Sequence, residues 1–128
     1  MENLFIAATK SSPEINFDCQ QHTLEIRGES YPENTAEFYT PILRWIQEYL
    51  GSTEDHLISI YMELVYFNSS SAKVLMDLFD ILDTSAKTGK RITINWVYDK
   101  RNASALEAGE EFQEEVEYMT FNLLQKHG

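Results

Sequence analysis

The sequence predicts an α/β protein, on the border with α+β, in which helices pack on a single mixed sheet of four or five strands. Stretches in which apolar and polar residues alternate are separated by stretches with apolar residues at helical spacing, which gives the order β-β-α-β-α-β-α-(β). Strands that alternate with helices favour parallel neighbours joined by right-handed crossovers, here with one hairpin added. The length of 128 residues and the apolar content of 43% suit one domain covering residues 1–128.

The N-terminal part is predicted to form a hairpin followed by a helix. Residues 15–26 contain two short alternating stretches around a polar turn, which is typical of two antiparallel strands. Asn34 is a good helix N-cap, and Gly51 is a natural stop. Pro41 lies inside this helix and removes a backbone hydrogen bond, unless Thr40 caps a separate second piece. We therefore expect a bent helix or a helix in two pieces.

A central strand and a second helix are predicted next. Residues 57–67 carry apolar side chains on both faces, which is typical of a buried middle strand covered by helices. The run from Asn68 to Ser71 consists of good cap residues, so a helix should begin there and end at Gly89. Residues 92–98 then alternate between apolar and polar, which predicts another strand.

The C-terminal part is predicted to contain a third helix and a final strand. Residues 103–116 place apolar side chains on one face and glutamates on the other. In the segment 118–124, alternate residues are apolar as in a strand, although Leu124 breaks the alternation. A strand is the expected structure of this segment, and a helix is the alternative.

The composition argues against several classes of function. The formal net charge is −11, and such a surface repels nucleic-acid phosphates and anionic membranes. No apolar run is long enough to span a bilayer, and the N-terminus lacks the features of a secretory signal. The single cysteine, Cys19, cannot form an internal disulfide and fits a reducing compartment. We therefore expect a cytoplasmic protein.

The residue types that carry catalysis or bind cofactors form no recognisable pattern in the sequence. His22, His56 and His127 are far apart and have no neighbours at the spacing of metal ligands, so exposed loop positions without a metal are expected. The sequence contains no G-x-S-x-G elbow, phosphate loop or dinucleotide fingerprint. We therefore expect no catalytic residues and no cofactor, and hence a protein that is not an enzyme.

A small-ligand-binding domain is one alternative. Asp77, Asp80 and Asp83 lie three residues apart near one face of the second predicted helix, where they could bind a cation. A solvated outer face is the favoured explanation for these acids. The loop from Tyr31 to Asn34 is a second candidate for ligand binding.

The serine cluster Asn68-Ser69-Ser70-Ser71 is the most informative segment for function. Capping of the helix needs one of these side chains, and three successive serines exceed that need. A phosphate here would gain from the amides and dipole of the helix N-terminus and would add roughly −1.5 to −2 charge at pH 7. The same charge would be unfavourable on a surface that becomes buried in a complex, so one hydroxyl could act as a binary switch.

Four segments resemble one known family. They are Thr9–Ile15, Gly28–Asn34 with the sequence Gly-Glu-Ser-Tyr-Pro-Glu-Asn, Asn68–Lys73 with the sequence Asn-Ser-Ser-Ser-Ala-Lys, and Trp96–Asn102. In these segments the chain resembles the SiaC family of bacterial regulatory phosphoproteins, which is distantly similar to anti-sigma-factor antagonists of the STAS type. The resemblance covers nearly the whole chain and implies a single STAS-like domain.

The resemblance implies a function. In the SiaC family a Ser/Thr kinase with a histidine-kinase-like ATPase fold phosphorylates the first hydroxyl after the asparagine, and a PP2C-like phosphatase reverses the reaction. The unphosphorylated form binds and activates a diguanylate cyclase, which promotes biofilm formation. The implied acceptor is Ser69, and Ser70 is the alternative because the family often has threonine at the first position. The implied partner-binding residues are Asn68, Ser70, Ser71, Lys73, Tyr31 and Glu33. An anti-sigma-factor antagonist in a partner-switching cascade is the alternative output.

Overall fold

The structure, a computed structural model, describes residues 1–53 and 55–126. Within these residues six strands and three helices follow one another as β1 (Leu4–Ile6), β2 (Glu14–Asp18), β3 (Thr23–Ser30), α1 (Thr35–Ser52), β4 (Leu57–Phe67), α2 (Ser69–Lys87), β5 (Arg91–Asp99), α3 (Ala103–Glu115) and β6 (Thr120–Lys126). These strands lie side by side in chain order in one sheet. The pairs β1–β2 and β2–β3 are antiparallel, and β3 to β6 are parallel. The predicted α/β class and element order are confirmed, with one more strand than expected.

The additional strand is β1, at one edge of the sheet. It has three residues and pairs antiparallel with β2, with Ile6 opposite Ile15. A strand this short gives too little alternation to be recognised in the sequence. At the other edge, β6 pairs in parallel with β5, with Phe121 opposite Ile94. The expected final strand is thus confirmed.

The core lies on one face of the sheet. Alternate residues of β4 and β5 are buried there: Ile58, Ile60, Met62, Leu64, Ile92, Ile94 and Trp96. On the opposite face Tyr61 and Glu63 are half-buried, and Val65 is 58% exposed. Crossovers of one hand between successive neighbouring strands place their helices on the same face of a sheet. The prediction that the central strand is buried on both faces is therefore wrong.

α1 forms one continuous helix although it contains a proline. It begins after Asn34, whose side chain accepts a hydrogen bond from the amide of Glu37 at 3.1 Å. The helix then continues through Pro41, so the separate piece beginning after Thr40 does not form. Pro41 is exposed, and water can reach the carbonyl that the proline leaves without a helical donor. Gly51 lies inside the helix instead of ending it.

A buried indole joins β5 to α3. Trp96 is fully buried, and its Nε1–H donates to the carbonyl of Ala105 in α3 at 2.9 Å. Gly109, one turn later, allows the helix backbone to approach the same indole, since a Cβ atom there would lie 2.6 Å from Trp96 Cδ1. Trp96 also packs edge-on against Phe67, the last residue of β4, at a centroid distance of 6.0 Å. The core thus extends to the residue that precedes the serine cluster.

Candidate functional site

The serine cluster lies at the edge of the sheet where the parallel strands end. Asn68 follows β4, and its backbone amide donates to the carbonyl of Ser30 at the end of β3 at 3.0 Å. The Asn68 side chain caps α2, because its Oδ1 accepts a hydrogen bond from the amide of Ser71 at 2.9 Å. Asn68 therefore ties the start of α2 to β3. In open α/β sheets this carboxyl edge is the usual place for binding sites.

The three serines in the first turn of α2 point in different directions. Ser71 is fully buried, whereas Ser69 and Ser70 are exposed. Because successive helical side chains are turned by about 100°, Ser69 lies about 160° from Ser71 around the axis and faces outward. Ser70 lies at the side of the helix that faces α1. The hydroxyls of Ser69 and Ser70 are therefore accessible at the surface of the protein, whereas that of Ser71 is not.

Ser71 differs from the other residues expected to bind a partner. Its Oγ accepts a hydrogen bond of 2.8 Å from Ser30 Oγ, which also bonds to the hydroxyl of Tyr39. Burial raises the pKa of Tyr39 above its ordinary value. A partner cannot touch the Ser71 side chain in this arrangement, so the expectation of a direct contact is corrected. The Ser71 hydroxyl supports the site from beneath.

Lys73 extends the outward face of α2 beyond Ser69. Four residues along a helix return to within about 40° of the same direction, so the two side chains share a face. Lys73 is exposed, and its ammonium makes none of the salt bridges found among residues 1–53 and 55–126. The first amides of a helix have no partner within it, and here those of Ser69 and Ser70 lie at the helix start. A hydroxyl, helix amides and a cation are thus combined on one face.

A cleft of about 1030 Å³ separates the beginnings of α1 and α2. Ser70 lines it from α2, and Glu33 and Glu37 line it from the other side. Ile6 and Phe38 add apolar surface to the same cleft. Because two carboxylates face this space, a negative group on Ser70 would enter an acidic environment, whereas one on Ser69 would not.

An aromatic patch flanks the serine cluster on the β3 side. Tyr31 follows β3 and is half-buried, and its ring packs edge-on against Tyr66 at a centroid distance of 5.8 Å. Tyr66 is 52% exposed and Val65 is 58% exposed. The register with β3 shifts after Gly28, which leaves Val65 as an extra residue and exposes two successive side chains. The sequence pattern predicts a buried strand for Val65 and Tyr66 and gives no sign of this exposed patch.

Asp83 has a structural role that separates it from Asp77 and Asp80. Its carboxylate accepts hydrogen bonds from three successive amides, those of residues 117–119, at 2.8 to 3.1 Å. Burial of the carboxyl opposes ionisation, but the three amides outweigh it and lower the pKa of Asp83. Asp77 and Asp80 line a separate cleft of about 240 Å³. Within the part of the chain that the structure describes, no three metal-ligating side chains lie close enough to hold an ion.

Two histidines that are distant in sequence meet where the parallel strands β3 and β4 begin, at the end of the sheet opposite the serine cluster. The rings of His22 and His56 stack at a centroid distance of 4.0 Å, and His22 Nδ1 is hydrogen-bonded to the hydroxyl of Tyr49. Desolvation and the neighbouring His56 lower the pKa of His22. The interpretation of His22 as an exposed loop residue is therefore wrong, since it is half-buried. His127 lies outside the described residues.

Fold and site together define a small α/β protein with an exposed, hydroxyl-bearing helix start at the carboxyl edge of its sheet. No helix in the described ranges has the length and apolar character needed to cross a membrane. The sequence profile described as "SiaC family regulatory phosphoprotein" matches residues 6–126. An uncharacterized protein of Pseudomonas aeruginosa, strain UCBPP-PA14, is 35% identical over 118 residues, which cover 92% of this chain and 93% of that protein. The chain belongs to the SiaC family of regulatory phosphoproteins.

Solved structures from Pseudomonas aeruginosa share the fold over almost their full length. SiaC matches with a TM-score of 0.91 and 32% identity, over 98% of this chain and 100% of that chain. Apo-SiaC matches with a TM-score of 0.90 and 33% identity, over 97% and 99%. A structure of the diguanylate cyclase SiaD in complex with its activator SiaC matches with a TM-score of 0.90 and 32% identity, over 96% and 99%. The family resemblance identified from the sequence motifs is therefore confirmed.

Proposed function

We propose that this chain is a non-enzymatic switch protein, phosphorylated on Ser69, that binds and activates a diguanylate cyclase when it is unphosphorylated. A Ser/Thr kinase with a histidine-kinase-like ATPase fold adds the phosphate, and a PP2C-like phosphatase removes it, as the family resemblance implies. The output is control of cyclic-di-GMP and biofilm formation from the bacterial cytoplasm. The supporting observation is the outward-facing hydroxyl of Ser69 in a chain of the SiaC family, whose relative SiaC is the activator of SiaD.

A phosphate on Ser69 is well accommodated in the free protein. It would carry roughly −1.5 to −2 charge at pH 7 at a position where helix amides and the helix dipole favour anions. Lys73 shares the outward face and offers its ammonium one turn away. Phosphorylation therefore leaves the fold intact and changes only the surface.

Ser70 is the alternative acceptor, and its surroundings favour Ser69. Ser70 shares its cleft with Glu33 and Glu37. Like charges at short range raise the free energy of the dianionic phosphate, so phosphorylation of Ser70 is opposed by these carboxylates. Ser69 faces away from them.

The proposed docking surface surrounds Ser69. It consists of the exposed or half-buried residues Asn68, Ser70, Lys73, Tyr31 and Glu33, joined by Val65 and Tyr66. The aromatic and aliphatic side chains supply apolar area for a partner, which is the usual source of affinity at an interface centre. A phosphate within this surface would have to lose its hydration in the complex, and the single ammonium of Lys73, which loses its own hydration there, does not compensate a dianion, so burial is strongly unfavourable. Phosphorylation therefore releases the cyclase.

Binding to the purified cyclase tests the switch. Ser69→Asp should weaken binding measured by calorimetry at least about tenfold in Kd, or ~1.4 kcal/mol, because the added carboxylate must lose its hydration in the complex and Lys73 compensates only part of that loss. Ser104→Asp is the matched control, since it adds the same charge to the first turn of α3, which Asn102 caps in the same way. It should bind like the unmodified protein. Equal Kd values for the two variants would overturn the mechanism.

Mass spectrometry after incubation with the cognate kinase and ATP tests the acceptor. Phosphate is expected on Ser69 and should disappear from that peptide in Ser69→Ala. If neither Ser69 nor Ser70 carries phosphate, the proposed function is refuted. Capture of an anti-sigma factor instead of a cyclase in a pull-down would keep the phosphorylation chemistry and replace the output.

A further inference from the structure

Three buried hydroxyl groups connect α1, β3 and α2 beneath the proposed phosphorylation site. Tyr39 is 2% exposed, and Ser30 and Ser71 are fully buried. Ser30 Oγ lies 2.5 Å from Tyr39 OH and 2.8 Å from Ser71 Oγ. The three residues belong to three different elements, so this chain of hydroxyls exists only when α1, β3 and α2 are assembled.

The hydrogen bonds among these three hydroxyl groups have a defined direction. Ser30 donates its proton to Ser71 Oγ, and a hydroxyl has only one proton, so Tyr39 must donate to Ser30. Removal of the Tyr39 hydroxyl would leave the buried Ser30 oxygen without its donor. A buried polar group without a partner is unfavourable. The complete set of hydrogen bonds among the three hydroxyls therefore favours one rotation of the first turn of α2 about the helix axis.

We infer that the hydroxyls of Tyr39, Ser30 and Ser71 are positioning groups that select Ser69 as the phosphate acceptor. They hold Ser71 inward, and helix geometry then turns Ser69 outward and Ser70 toward the acidic cleft. This inference rests on the proposed phosphorylation and adds the residues that decide which serine receives the phosphate. The positioning groups act through the rotation of the helix turn.

Tyr39→Phe tests the inference because it removes one oxygen atom and keeps the packed ring. The variant is phosphorylated by the cognate kinase with ATP, and fragment mass spectrometry gives the ratio of phosphate on Ser70 to phosphate on Ser69. We expect this ratio to rise about fivefold, the change that corresponds to one lost buried hydrogen bond. Ser71→Ala, which removes the other end of the chain, should shift the ratio in the same direction.

Tyr49→Phe is the matched control. Tyr49 lies on the same helix and is likewise 2% exposed. Its hydroxyl is hydrogen-bonded to His22, where the parallel strands begin, at the end of the sheet opposite the serine cluster. It therefore reports the loss of a buried tyrosine hydroxyl, including any general fall in stability, at a distance from α2. Its ratio of the two phosphoserines should equal that of the unmodified protein.

The outcomes distinguish this inference from the proposed function. If Tyr39→Phe and Tyr49→Phe give the same ratio, the positioning role is overturned while phosphorylation of Ser69 stands. If the unmodified protein carries phosphate on neither serine, the proposed function fails and the inference fails with it. If both Tyr39→Phe and Ser71→Ala lose cooperative unfolding, the hydroxyls are a requirement of folding and the inference is again overturned.

Discussion

Replacing Gly109 by alanine is expected to destabilise the protein, although alanine is the better helix former. A Cβ atom at Gly109 would lie 2.6 Å from Trp96 Cδ1, 2.7 Å from Trp96 Nε1 and 2.8 Å from Leu123 Cδ2. The indole cannot easily move away, because Trp96 is fully buried and donates a hydrogen bond to Ala105. Either α3 or the indole must therefore shift.

Two opposing contributions decide the magnitude. Alanine gains about 1 kcal/mol over glycine in helix propensity. Overpacking of a close-packed core costs about 1–3 kcal/mol, and displacement of Trp96 would weaken the hydrogen bond to Ala105, which is worth about 1 kcal/mol. The net expectation is a loss of about 1–3 kcal/mol in the free energy of unfolding. Each kcal/mol corresponds to roughly 4 °C in Tm for a chain of this size.

Gly51→Ala is the matched control because its sign should be opposite. Gly51 lies inside α1, and nothing is within 4 Å of the position that its Cβ would occupy. Urea unfolding followed by tryptophan fluorescence should therefore show a small gain, up to about 1 kcal/mol, for Gly51→Ala. If Gly109→Ala proved as stable as the unmodified protein, the close packing of α3 on Trp96 would be refuted.

Two further substitutions test the connections around α2. Asp83→Ala should lower stability at neutral pH by about 1–2 kcal/mol, a value discounted for the partial exposure of the carboxylate. Because the pKa of Asp83 is lowered in the folded protein, the carboxylate's contribution to the free energy of unfolding is complete above the ordinary value of 3.8 and is lost as pH falls through the lowered pKa. The free energies of unfolding of Asp83→Ala and of the unmodified protein should therefore converge in acid. A difference between them that did not change with pH would contradict this. Asn68→Ala should lower the free energy of unfolding by about 1 kcal/mol and slow phosphorylation of Ser69, because the cap of α2 is lost. Asn34→Ala, which removes the cap of α1, should lower the free energy of unfolding by the same amount without changing the rate of phosphorylation. Equal phosphorylation rates in the kinase assay would count against the role of the Asn68 cap.

Features that depend on local chemistry could be predicted from the sequence. A cap such as Asn68 bonds to an amide three residues later in the chain, so its role follows from residue type and position alone. The outward direction of Ser69 also follows from local sequence, through the helical spacing of the apolar residues. Ser71, Leu75 and Leu78 are buried and recur at helical spacing, so the inward face of α2 begins at Ser71. A helical projection would have separated the buried serine from the two exposed ones.

Features that depend on pairing between distant segments could not be predicted in this way. The exposure of Val65 and Tyr66 results from a register shift between β3 and β4, and the apolar composition of β4 gives no sign of that shift. The meeting of His22 and His56 requires that β3 and β4 are parallel neighbours, since each histidine lies just before one of these strands. Both features belong to the sheet as a whole, and the order of elements alone does not define its register.

The net charge of the chain limits how the proposed phosphorylation of Ser69 can act on a partner. The chain already carries a formal charge of −11. A phosphate changes this to about −13 at pH 7, and the field of exposed charges is screened beyond about 8 Å at physiological ionic strength. A partner at a distance therefore meets nearly the same protein in both states. The discrimination between the two states must arise within the contact itself, where a phosphate on Ser69 would have to lose its hydration.

Ser69→Asp and Ser104→Asp carry the same net charge, so the difference in their Kd values measures this local contribution alone. If both weakened binding equally and salt abolished the loss, long-range repulsion would be the cause instead.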